Sequence, residues 1–142
     1  MRSKKNRNIL RRLTFLFPAL CLLVFASCDR EDRLYGRWHL QNVKMNGEPL
    51  NDSLQYNVIP KHTTYEFFYS SSMTVSTYVL GLDISSPDGY YRFLNKSEIE
   101  MKFTLLYKRY EINASIKKLT KRELNLEYED KGNTYFLQLF AY

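Results

Sequence analysis

Only two histidines and two cysteines are available for nucleophilic or metal chemistry in this 142-residue chain. His39 lies in a stretch of alternating polarity and His62 follows Pro60, with no metal-ligand spacing between them. Cys21 sits inside an apolar run, and Cys28 directly follows Ala26 and Ser27. Glu98 with Glu100, and Glu127 with Glu129, place paired carboxylates on one side of an extended segment. Such pairs do acid–base work only in a cleft, and they read here as solvated faces. No Gly-rich phosphate loop and no G-x-S-x-G elbow occurs. No catalytic residue, no metal site and no cofactor is therefore expected, and the chain reads as a non-enzymatic protein.

Charge narrows the partners further. The net charge of +6 arises before residue 28, where Arg2, Lys4, Lys5, Arg7, Arg11 and Arg12 stand without an acidic residue. The other 15 Lys and Arg are balanced by all 15 Asp and Glu. A neutral remainder lacks the footprint that nucleic acid requires. Lys117, Lys118, Lys121 and Arg122 form one basic cluster, but Glu123, Glu127 and Glu129 follow at once, so no nucleic-acid partner is expected.

The aromatic residues are more suggestive. Tyr65, Phe67 and Tyr69 recur at two-residue spacing and are expected to share one strand face, with Tyr78 on the next strand. An apolar wall with hydroxyl handles suits a small hydrophobic or amphipathic ligand. Packing the core and rims of a small barrel is the plainer reading of the same residues, and the favoured one.

The elements that must position these residues begin after a leader. A basic stretch ends at Arg12, an apolar stretch runs from Leu13 to Phe25, and Ala26 and Ser27 are small, which is the layout of a secretory signal peptide over residues 1–27. The apolar stretch is too short for a comfortable membrane span, which needs about 20 residues. Phe25-Ala26-Ser27-Cys28 resembles the lipobox of bacterial lipoproteins. That resemblance implies lipidation at Cys28, with residues 28–33 as the lipidated cysteine and a polar tether, and membrane attachment through this anchor. Acidic residues just after the cysteine resemble the surface-export signal of some Gram-negative lipoproteins, whereas in other Gram-negative groups an aspartate in the place of Asp29 implies retention at the inner membrane. The expected place is the cell envelope, at the outer membrane, on its periplasmic face or the cell surface.

From residue 34 to 142 two-residue alternation dominates. Ile99, Met101, Phe103 and Leu105 share one face of Glu98–Leu105, and Tyr110, Ile112, Ala114 and Ile116 share one face of Lys108–Lys117. Leu124, Leu126 and Tyr128 precede the turn Asp130-Lys131-Gly132-Asn133, after which Tyr135–Phe140 returns. Upstream, strands are expected at Leu34–Gln41, Thr63–Ser70, Met73–Gly81 and Tyr90–Leu94. Ser86-Pro87-Asp88-Gly89 is expected to turn the chain. Eight such strands predict an all-β fold, either an antiparallel up-and-down barrel or a strongly curled meander.

Leu34-x-Gly36-x-Trp38-x-Leu40 resembles the G-x-W opening of lipocalins, and more closely the lipocalin-like domains of bacterial lipoproteins. Leu119-Thr120-Lys121-Arg122-Glu123-Leu124 is similar to the step into their final hairpin. The resemblance implies an eight-stranded lipocalin-like barrel over residues 34–142. Gly36 is expected to let the backbone curl and Trp38 to close one end of the core. The functional expectation is a lipid-anchored envelope protein that binds a small hydrophobic or amphipathic ligand in the barrel mouth. The alternative is an accessory protein that docks on another envelope protein.

Overall fold

A computed structural model describes residues 30–51, 54–55 and 58–142. The leader and Cys28 lie outside the described residues. The chain divides into two compact units, Met1–Arg33 and Leu34–Tyr142. Residues 30–34 form a short helical stretch, residues 54–55 and 58 are also helical, and no helix among the described residues is long and apolar enough to cross a membrane.

Strand follows strand through the second unit. β1 (Gly36–Met45), β2 (Glu48–Pro49), β3 (Thr64–Phe67), β4 (Ser72–Val79) and β5 (Leu82–Asn95) are followed by β6 (Glu98–Leu105), β7 (Lys108–Leu119), β8 (Glu123–Asp130) and β9 (Asn133–Ala141). Every pairing is antiparallel, in the order β2-β1-β3-β4-β5-β6-β7-β8-β9. β1 also pairs with β9, from Trp38 opposite Ala141 to Met45 opposite Tyr135. The sheet therefore closes on itself as an eight-stranded barrel, with β2 a short clip on the end of β1.

Alternation decides what fills it. Trp38, Leu40 and Val43 of β1, Tyr65 and Phe67 of β3, and Met73 and Val75 of β4 point inward and are buried. Ile99, Met101, Phe103 and Leu105 of β6 and Leu124 and Leu126 of β8 join them, as do Leu137 and Leu139 of β9. Aromatic rings pack edge to face at Tyr65–Phe103 (5.7 Å) and Phe67–Tyr91 (5.0 Å), the geometry that opposed ring quadrupoles favour. Gly36 adopts φ 121°, and two residues on, the Trp38 indole Nε1–H donates to the Leu34 carbonyl at 2.7 Å. The opposite end of the barrel receives the β2–β3 connection, which brings Ile59 into the core. The Tyr110 hydroxyl donates to the Val58 carbonyl there, at 3.0 Å.

Three local expectations are corrected. Ser86-Pro87-Asp88-Gly89 does not turn the chain but lies inside β5. Met73 faces Gly89 while Val75 faces Ser86, so β5 carries one extra residue at this point. A bulge of this kind accommodates a proline, which cannot donate to the ladder. The reversal occurs instead at Leu80-Gly81, both at positive φ, between Val79 and Leu82. The first strand runs on past Gln41 to Met45, because a bulge between Leu40 and Asn42 restores Val43 to the inside. Finally, β3 ends at Phe67, so Tyr69 belongs to the β3–β4 turn and not to a face shared with Tyr65 and Phe67.

Candidate functional site

The pleat that sends Trp38, Tyr65 and Val75 inward sends their neighbours outward. On β1 these are Arg37, His39 and Gln41; on β3, Thr64 and Glu66; on β4, Thr74, Ser76 and Tyr78; on β5, Asp83 and Ser85. They line a half-open groove on the outer wall of the barrel, about 1210 Å³ in volume, completed by Lys61, His62 and Tyr142.

Strand register arranges the lining in rows. His39 is opposite Thr64, Thr64 opposite Ser76, and Ser76 opposite Ser85, so one line of polar side chains crosses four strands. At a strand spacing of about 4.8 Å the line is roughly 14 Å long. A second row runs Arg37, Glu66, Thr74. Tyr78 stands opposite Asp83 at the end of the groove nearer the β4–β5 hairpin.

The floor is tied down at one side. Thr64 Oγ1 and His39 Nδ1 are hydrogen-bonded at 2.9 Å, and the His39 ring lies 4.3 Å from the Tyr142 ring, centroid to centroid. Desolvation, with the Arg37 charge second, lowers the His39 pKa and favours its neutral form. Arg37 pairs with Glu66 at 3.0 Å. Among the Lys, Arg, Asp and Glu side chains of the lining, the cations Arg37 and Lys61 equal the anions Glu66 and Asp83 in number.

The four aromatic residues singled out for ligand contact are separated by the fold. Tyr65 and Phe67 are buried inside the barrel, Tyr69 lies in a turn with its ring 3.7 Å from that of Tyr35, and Tyr78 alone lines the groove. The hydroxyl of Tyr65 is buried with no hydrogen-bond partner among the described residues. Burial, reinforced by Tyr128 and Tyr110 nearby, holds its pKa well above the usual phenol value.

Several other charged groups form pairs. Glu100 is mostly buried, held by Arg92 and by Lys102 at 3.5 Å. Lys117 pairs with Glu127 at 2.8 Å and Lys118 with Glu123. Among the described residues no group of three or more His, Cys, Asp or Glu is placed to hold a metal ion.

The row of hydroxyls was missed by sequence reasoning. Thr64, Glu66, Thr74 and Ser76 do alternate with core residues, a signal that identifies an outer face. Nothing in that signal says which outer faces adjoin or that together they are concave. Comparison with known proteins finds no matching family model, no matching curated protein and no matching solved structure. The class the geometry defines is a closed, antiparallel up-and-down β-barrel with a groove on its outer wall lined mainly by polar residues.

Proposed function

We propose that this protein is a non-enzymatic binding module, held at the outer membrane of a Gram-negative envelope by lipid on Cys28, that takes a small amphipathic ligand on its outer wall. The groove is the observation that carries this reading: it is large enough for such a ligand, and strands β1, β3, β4 and β5 all contribute to it. The barrel mouth is the less suitable place, because Ile59 and Val58 of the β2–β3 connection already pack there. Tyr78 offers an apolar face with a hydroxyl, and the Thr and Ser side chains offer both donors and acceptors.

The test is native mass spectrometry of the full-length protein purified from its own envelope. A discrete bound mass that is lost in the Tyr78→Ala variant supports the reading. A bound mass indifferent to Tyr78 and to Ser76→Ala places the ligand elsewhere. The anchor is checked in the same spectra, where the wild type carries acyl mass on Cys28 and Cys28→Ser does not.

A second reading, docking on an envelope protein, draws on the β4–β5 hairpin. β5 pairs with β6 only from Tyr90 onward, so its first residues pair with β4 alone. Tyr78, Leu80 and Leu82 are 57%, 96% and 64% exposed there. Clustered exposed apolar groups of this kind mark interaction surfaces. Cross-linking from a photoreactive residue at position 80 in intact cells should then trap one discrete partner.

A further inference from the structure

Resting on the groove as the binding site, we infer that its ligand is a neutral oligosaccharide. Three features of the groove combine to this end. The first is charge: Arg37 and Lys61 are matched by Glu66 and Asp83, Arg37 is engaged by Glu66, and His39 is held toward its neutral form. With cations and anions equal in number, the groove offers neither an anionic nor a cationic ligand a surplus of opposite charge.

The second is the row His39, Thr64, Ser76, Ser85, a series of short polar side chains repeating at the strand spacing. A repeat of about 4.8 Å suits the width of successive pyranose rings, each presenting hydroxyls, whereas an extended peptide presents same-face side chains at roughly 6.6 Å. A peptide adding itself as a strand has no free edge at β3 or β4, which are paired on both sides, and could do so only along β5 before Tyr90, beside the row and not across it.

The third is aromatic. Tyr78 lines one part of the groove and Tyr142, its ring against His39, another. Sugar rings carry apolar C–H faces that stack on such rings while their hydroxyls are bonded in the plane by Thr, Ser and charged side chains.

The full-length protein in detergent, titrated calorimetrically with neutral hexasaccharides of glucose, mannose, xylose and N-acetylglucosamine, should bind at least one of them. Tyr78→Ala should weaken that binding about tenfold or more, Tyr78→Phe should retain most of it, and Ser76→Ala should weaken it several-fold. Both positions face outward, and a wild-type unfolding curve certifies each variant. Binding by none of the neutral sugars overturns the inference, as does binding that ignores both Tyr78→Ala and Ser76→Ala. If the sugars fail while a peptide or charged ligand carried from the envelope is lost on Tyr78→Ala, the sugar class falls and the groove stands. If neither kind of ligand responds to groove substitutions, both fall together.

Discussion

Inside the barrel the hydroxyl of Tyr65 is an expensive group, buried without a partner among the described residues and ringed by Phe103, Tyr110 and Tyr128. A buried hydroxyl left unbonded costs about 1–3 kcal/mol. Tyr65→Phe keeps the ring and deletes that cost, so it should raise stability by about 1 kcal/mol. A urea midpoint that falls instead would reveal a bond the hydroxyl makes. Glu100 is the opposite case, a carboxylate that the outer wall satisfies. The hydrogen bond from Arg92, above all, holds its carboxyl below the usual carboxylate range. A carboxyl more acidic in the folded state than in the unfolded stabilises above its unfolded pKa of about 4.3 and loses that contribution as pH falls through the folded value. Wild type should therefore exceed Glu100→Gln in stability at pH 7, and the two urea midpoints should converge in acid. Parallel curves down to pH 3, a range chosen about one unit below the unfolded pKa, would remove Arg92 and Lys102 as the cause. Glu98 and Glu100 look alike in sequence; the fold distinguishes them by burying Glu100 between Arg92 and Lys102 while Glu98 stays exposed.

Among the elements, β4 and β5 carry the fold's least legible step. Gly89 closes a segment expected to turn the chain, yet it lies in a strand directly opposite Met73. A Cβ built on Gly89 would stand 2.6 Å from both Met73 Cγ and the Met73 carbonyl oxygen. Glycine is required here for close packing. Gly89→Ala should cost about 1–3 kcal/mol, since one partner of the clash is backbone and cannot swing aside. An unchanged thermal midpoint would mean that the two strands part without cost. The β6–β7 hairpin is unexpected in the other direction. Leu106 and Tyr107 both adopt positive φ, a conformation that side chains disfavour and that Asn-Gly ordinarily supplies. The two strands were nevertheless visible, because the alternation of Ile99–Leu105 and Tyr110–Ile116 is strong enough to bring the chain back through a poor turn sequence. Where alternation slips, at Gln41 in β1, the boundary slips too.

At the scale of the whole molecule, closure joins the first long strand to the last. Leu139 is fully buried on β9, opposite Leu40 of β1 on one side and Leu124 of β8 on the other. Leu139→Ala should cost about 2–5 kcal/mol. Because the ring has no seam other than its paired strands, amide protection should fall together in β1, β8 and β9. Loss confined to β9 in hydrogen exchange would show a barrel that opens there as a separate unit. Such a ring buries the aromatic content that had pointed to a ligand, taking Tyr65 and Phe67 inside and leaving Tyr78 on the outer wall.

By itself the sequence determined the all-β class, the principal strands and most of which side chains enter the core, because two-residue alternation is written locally in each segment. Tertiary structure alone decided that β1 meets β9, that Pro87 sits in a bulge, and that His39, Thr64, Ser76 and Ser85 form one row. Those are relations between strands. Register is set by the packing of both partners at once, so no single segment contains it.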